Sequence, residues 1–190
     1  MSRTHVALLR GINVGGHNSL PMAQLRGIAE GLAWGEVATY IQSGNLVFTA
    51  TGERAALEAA LQSAIRKETG LDLPVLVLTR AEALALATDC PWPDVVDPRL
   101  VHVFVYPFPL TEQARSGVEA AATAGPDEVR VSGRILYVHT PAGFSRSTVV
   151  PLLDRAALRR VTGRGTARNL ATVRKIGHLF EPSPGAQGPS

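Results

Sequence analysis

Residues 37–49 read Val37-Ala38-Thr39-Tyr40-Ile41-Gln42-Ser43-Gly44-Asn45-Leu46-Val47-Phe48-Thr49. β-branched and aromatic residues fill positions 37–41 and 46–49, and the four residues between them have the composition of a hairpin loop. A hairpin fixes two antiparallel strands, so the flanking segments decide what completes the sheet. Upstream, residues 5–10 are apolar and β-compatible, and a loop rich in Gly and Asn follows over 11–19. Pro21 then opens a helix, where its missing N–H costs nothing. Met22, Leu25, Ile28, Ala29 and Leu32 recur at helical spacing, and Gly35 lies where that helix should stop. Downstream, Leu57, Leu61, Ala64 and Ile65 share one side of a second helix that ends at Gly70. Residues 74–78 form a buried-strand pattern, and Thr79 with Glu82 makes a capping box for a short helix reaching about residue 88. The order is β-α-β-β-α-β, the ferredoxin-like arrangement.

The rest of the chain repeats most of that order. A linker over 89–99 carries Pro91, Trp92, Pro93 and Pro98. A strand over 100–106 stops at Pro107, and Thr111 caps a helix containing Ala114, Val118, Ala121 and Ala122. Gly125-Pro126 breaks it. Residues 128–132 and 135–140 form a second hairpin around Gly133-Arg134, with Val129 and Val131 alternating with Glu128 and Arg130 in the manner of a half-exposed strand. Helical sequence runs over 149–161. A closing helix over 169–180 places Leu170, Val173, Ile176, Gly177 and Phe180 on one face. Residues 181–190 are rich in Pro, Gly and Ser and read as a loose tail. The expectation is an α+β protein: two ferredoxin-like halves in tandem, βαββαβ over about 1–88 and βαββα over about 100–162, with a C-terminal helix, all in one domain over 1–180.

Composition narrows the class. The chain has 190 residues, 45% hydrophobic and 18% charged, which is globular and neither disordered nor membrane-like. No apolar stretch approaches the ~20 residues of a spanning helix. The apolar run at 6–9 is too short for a signal-peptide core. A single cysteine, Cys90, forms no internal disulfide and sits in a turn-rich stretch with no basic neighbour to activate it. These features point to the cytoplasm. The net charge of +3 leans toward the C-terminal third through Arg146, Arg155, Arg159, Arg160, Arg164, Arg168, Arg174 and Lys175, a mild excess that suits an anionic partner or ordinary solvated helix faces.

Common catalytic motifs are missing: there is no P-loop, no G-x-G-x-x-G and no G-x-S-x-G. The five histidines show no metal-ligand spacing with Cys or carboxylates, so no metal site is expected, and neither a cofactor nor a nucleophile–base pair can be nominated. Three polar patches remain. The loop after the first strand pairs Gly15 with Gly16, whose N–H groups can converge on an anion beside donors from Asn13 and Asn18; it also reads as a plain turn needing positive φ. In the hairpin loop a tight turn accounts for Gly44 and Asn45 but not for Gln42 or Ser43. At the start of the closing helix, Thr166 or Asn169 can act as cap, and Arg168 opposes the helix dipole unless an anion or carboxylate sits nearby.

The segments Leu8-Leu9-Arg10-Gly11-Ile12-Asn13-Val14-Gly15-Gly16, with Asn18 and Pro21-Met22, and Thr39-Tyr40-Ile41-Gln42-Ser43-Gly44-Asn45, with Val47-Phe48, resemble two signature blocks of the bacterial family called domain of unknown function 1697. Thr166-Ala167-Arg168-Asn169-Leu170-Ala171-Thr172-Val173 resembles a third, except that Leu170 stands where the family usually has Trp. The resemblance extends to Phe180, implies an α+β fold and carries no established activity. It makes Arg10, Asn13, Gln42, Ser43, Asn45, Arg168 and Asn169 candidates for a shared polar site, together with Gly15, Gly16 and Asn18. Three functions follow: binding of a small anionic or polar ligand such as a nucleotide or phosphorylated metabolite; RNA binding through sheet aromatics such as Phe48, Phe104 and Tyr106; or a scaffold without chemistry.

Overall fold

The computed structural model describes residues 2–13, 15, 17–153, 155 and 163–181. It is a mixed α+β structure of two four-stranded antiparallel sheets with, among the described residues, six helices. The chain divides into two units, Met1–Leu84 with Arg174–Ser190, and Ala85–Val173. Among the described residues no helix is long and apolar enough to cross a membrane.

In the first unit the order is β1 (His5–Leu9), α1 (Met22–Gly31), β2 (Gly35–Tyr40), β3 (Asn45–Thr49), α2 (Arg54–Thr69), β4 (Val75–Thr79) and the start of α3 (Arg80–Thr88). The strands lie in the order β2-β3-β1-β4, all neighbours antiparallel. β1 is central: Val6 faces Val47 on one side and Leu78 on the other. Alternate residues of these strands (Ala7, Leu9, Leu46, Phe48, Val75, Val77) form a core with Leu25, Ile28 and Ala29 of α1 and Leu57, Leu61 and Ile65 of α2. Trp34 stacks on Phe48 with ring centroids 4.0 Å apart, nearly parallel. The edge strand β4 is blunted by acid groups. The Val77 N–H donates to Glu58 Oε1 at 2.8 Å and the Thr79 N–H to Glu82 Oε2 at 2.9 Å, so these donors are not offered to a further strand. Glu82 and Thr79 complete the expected capping box, the Glu82 N–H returning to Thr79 Oγ1 at 3.2 Å.

The second unit holds the rest of α3, β5 (Val101–Val105), α4 (Glu112–Ala122), β6 (Glu128–Ser132), β7 (Ile135–His139), α5 (Val150–Leu153), β8 (Thr166–Asn169) and the start of α6 (Leu170–His178). Its strand order, β6-β7-β5-β8, repeats that of the first sheet. Phe104, Leu136 and Val138 pack with Val118 and Ala122 of α4 and with Val149 and Leu153. The second half therefore ends in a strand that the sequence reading omitted. Thr166 to Asn169 are not the first turn of a helix: they pair antiparallel with β5, Val105 facing Thr166 and Val103 facing Arg168. A four-residue strand of Thr, Ala, Arg and Asn has no apolar alternation to announce it; the ladder with β5 makes it. Of the helix expected over 149–161, Val150–Leu153 is seen, and residues 154 and 156–161 lie outside the described residues, as does the tail from 182.

Gly35 does not end α1. The helix closes four residues earlier in a Schellman pattern: the Trp34 N–H reaches Ala29 O at 3.3 Å and the Ala33 N–H reaches Glu30 O at 2.9 Å. Ala33 takes the left-handed position, φ 60°, where glycine is usual. Gly35 instead opens β2, followed by a bulge at Glu36, φ 50°. Arg3 holds that bulge to the end of α6, its Nε donating to Glu36 O at 2.7 Å and its Nη1 to Leu179 O at 2.5 Å.

Ala33 tests this account. A left-handed Ala costs about 1–2 kcal/mol in backbone strain, against about 0.5–1 kcal/mol of extra chain entropy lost by glycine. Ala33→Gly is expected to stabilise the protein by about 0.5–1 kcal/mol, raising the melting temperature by about 1–4 °C in a calorimetric scan. A lower melting temperature would mean that the Ala33 methyl packs usefully.

Candidate functional site

The loop after β1 and the loop between β2 and β3 meet at one end of the first sheet. Their approach begins in the backbone: the Leu9 N–H donates to Gly44 O at 2.9 Å. Gly44 is buried with φ 72°, and a Cβ there would lie 2.7 Å from Leu9 Cβ and 2.8 Å from Ile12 Cδ1. Only glycine combines that conformation with that closeness.

Asn13 then joins the loops. Its Nδ2 donates to Gln42 O at 2.9 Å and to Leu20 O at 3.0 Å, and its Oδ1 accepts the Leu20 N–H at 2.9 Å. Asn18 closes the same loop, Nδ2 donating to Gly11 O at 2.8 Å, while the Asn13 N–H donates to Asn18 O at 3.2 Å. Asn45, buried at the foot of the hairpin, donates through Nδ2 to Tyr40 O and to Ser43 Oγ, both at 3.0 Å. The carboxamides of Asn13 and Asn18, read as anion donors, and of Asn45, a candidate through the family resemblance, thus donate to the protein itself, Asn13 and Asn45 through two bonds each and Asn18 through one. Asn does this well because it tolerates left-handed backbone and matches a peptide group in donors and acceptors; Asn13 and Asn18 have φ of 54° and 50°.

The first two sequence blocks therefore come together, and Gly15, Asn18 and Gln42 are exposed there with Arg10 and Ser43 half-buried. Gly16 lies outside the described residues. The backbone is unusually contorted: Gly11, Asn13, Gly15, Asn18, Ile41 and Gly44 all have positive φ. Ile41 is the residue that sequence reasoning missed. Read as the last residue of a strand, it lies one position past β2, with φ 47° and half its surface exposed. No sequence signal marks it, since a β-branched residue argues for a strand and against this conformation.

Arg168 and Asn169 belong to the second unit. Asn169 is the cap of α6, its Oδ1 accepting the Thr172 N–H at 2.8 Å. Arg168 sits on β8 and donates from Nη1 to Thr166 Oγ1 at 2.9 Å and to Ala167 O at 2.7 Å. Burial pulls its guanidinium down to about 10, which leaves it charged at neutral pH. Leu170, in place of the resemblance's Trp, is fully buried and packs. The sheet aromatics considered for RNA stacking, Phe48, Phe104 and Tyr106, are buried as well, so they offer no face to a base. Cys90 is also buried.

The architecture and the loop geometry define a two-sheet α+β protein with a braced polar loop cluster. The sequence matches the family described as protein of unknown function (DUF1697) over residues 1–137, and the chain belongs to that family. The match contains the first two blocks; the third lies beyond it. Among solved structures, the conserved bacterial protein SP0830 from Streptococcus pneumoniae is similar, with a TM-score of 0.71 and 25% identity over 95% of this chain and 100% of that one. No curated protein matches.

Two measurements check these assignments. Asn13→Ala removes three hydrogen bonds worth about 0.5–1.5 kcal/mol each and puts Ala at positive φ, so a loss of about 2–5 kcal/mol in denaturant unfolding is expected. A loss under about 1 kcal/mol would show that the loops hold together without it. The second concerns pH. Burial lowers the pKa of both His5 and His102 from the ordinary 6.5. The unfolded chain then binds more protons as pH falls through 6.5, so stability present above that pH is lost below it. His102→Gln should flatten the dependence of the urea midpoint between pH 7.5 and 5; an unchanged slope would remove His102 from the account.

Proposed function

We propose that this protein is a binding module for a small anionic or polar ligand, a nucleotide or phosphorylated metabolite, held where the loop over 10–20 meets the loop over 41–44. The observation that carries this reading is the Asn13 clamp onto Gln42 O, because it fixes two contorted loops that leave polar groups facing water. Such strain persists only where the surroundings over-determine it, and it gathers at binding sites. Within the site Asn13, Asn18 and Asn45 shape the loops, while Gln42, Arg10, Ser43 and the Gly15 backbone meet the ligand. In the second unit Arg168, charged and beside Asn169, is the candidate for the same chemistry. We read each half as ferredoxin-like from its strand order, residues 1–180 as one family domain, and the cytoplasm as its location.

Thermal unfolding against nucleotides, sugar phosphates and carboxylates tests the proposal on wild type, Gln42→Ala and Arg168→Ala. A ligand at about 100 times its dissociation constant adds ~2.7 kcal/mol, or about 5–11 °C at this chain length. A rise of that size, lost in Gln42→Ala, is the expected result. An unchanged melting temperature with every ligand would overturn the reading and leave a scaffold.

A further inference from the structure

Helices α1 and α2 lie on the same face of the first sheet, where both pack into one core with Ala7, Leu9, Leu46 and Phe48. They run in opposite directions. α1 leaves from the end of the sheet where Leu9 faces Val75, and α2 from the end where Gly35 faces Thr49. An open groove of about 690 Å³ runs between them. Gln24, Gly27 and Gly31 line it from α1, and Ser63, Lys67 and Glu68 from α2, all of them exposed. The two glycines have no cause in the fold. Both are helical, neither has positive φ, and a Cβ at either would meet nothing within 4 Å. Glycine in a helix is less stable than alanine, because it gives up more backbone freedom on folding. What the pair provides is a strip of bare backbone, four residues apart on one face, against which a second helix can lie closer than side chains would allow.

Charge says which helix. Glu30 is exposed on α1 one turn beyond Gly27, and among the described residues neither its carboxylate nor the Lys67 ammonium is engaged in a hydrogen bond or ion pair. Lys67 lies at the Gln24 end of the groove, since α2 ends where α1 begins. When α1 of a second copy lies antiparallel across Gly27, its residue 30 falls opposite residue 24 of the first, and so at the Lys67 end. A two-fold axis makes that approach twice. Glu68 lines the same end, with Gln24 as a neutral donor for it. We propose that two copies of this chain pair through this groove, α1 against α1 about a two-fold axis, with Glu30 of each copy beside Lys67 of the other. The face is small and partly polar, so the pairing is weak and salt-sensitive, with a dissociation constant of about 1–100 µM. None of these residues belongs to the loop cluster, so the pairing stands or falls by itself.

Sedimentation equilibrium of the full chain between about 1 and 300 µM tests the proposal. Wild type is expected to pass from monomer to dimer over that range. Gly27→Leu should weaken association at least about tenfold, because its side chain fills the strip where the second helix lies. In dilute solution the same variant should melt about 1–4 °C higher than wild type, since the glycine penalty is gone and the new side chain enters open space. Glu30→Lys and Lys67→Glu should each weaken pairing about two- to tenfold, and the chain carrying both should pair as wild type does, a recovery that a merely structural role would not give. Wild type that stays monomeric throughout would overturn the proposal and leave the groove to a small ligand or a different protein. Three other results would also overturn it: Gly27→Leu that pairs like wild type, Gly27→Leu that melts lower or fails to fold, and a charge swap without recovery.

Discussion

One carboxamide decides the shape of the candidate site. The Asn13 side chain makes three hydrogen bonds, two to Leu20 and one to Gln42 O, and so converts two separate turns into one body. Peptide groups at a loop end must find partners or stay wet. Asn13 satisfies a donor and two acceptors from two loops at once, as a third strand would. The backbone accepts left-handed conformations at six positions around this clamp. Glycine and asparagine carry five of them at small cost, and the sixth falls on Ile41, where the cost is larger.

The clamp has something firm to act on because β1 is central. Strand order β2-β3-β1-β4 puts both of its edges in antiparallel ladders, and its last residue, Leu9, is bonded directly to the hairpin turn through Gly44 O. The next residue is also tied, the Arg10 N–H donating to Pro74 O at 3.1 Å. Three chain segments therefore leave the sheet at one end already in register. Helices α1 and α2 anchor the same strands through Leu25, Ile28, Leu57 and Leu61. The loop cluster inherits its precision from a packed core, which is how loops come to hold defined sites.

Helices and central strands were legible in the sequence because their signals are redundant. α1, α2 and α4 show apolar residues at helical spacing, and the capping box at Thr79 and Glu82 formed as read. Where one residue type had to carry the reading, tertiary structure overrode it. Gly35 looked like a helix stop, but the chain turned at Ala33 because the Schellman bonds close there. β8 was invisible because a four-residue strand at a sheet edge takes its conformation from its neighbour β5 and not from its own pattern. At the candidate site both loops were marked in the sequence by their polar residues, but their meeting was not, since it follows from the strand order β2-β3-β1-β4. The residues' roles were not marked either: an asparagine that braces a carbonyl and one that binds a ligand look the same in sequence. Ile41 was opaque for the opposite reason, since its composition argues for a strand.

That division of roles bears on what family signature residues mean here. A polar residue in a signature loop can be kept for the shape it imposes as well as for contact with a ligand. Asn13, Asn18 and Asn45 are of the first kind, for their carboxamide N–H groups end on backbone carbonyls and on Ser43 Oγ. Asn169 joins them as the cap of α6. Arg168 also bonds within the protein, its Nη1 donating to Thr166 Oγ1 and Ala167 O, but it differs in charge: burial lowers its pKa to about 10, which leaves it a cation at neutral pH. A cation held in a desolvated place acts strongly on any anion that reaches it, because the attraction there is less screened than in water. The polar signature thus holds neutral amides that set geometry beside Gln42, whose side chain is exposed, and Arg168, a buried cation bonded within its own strand.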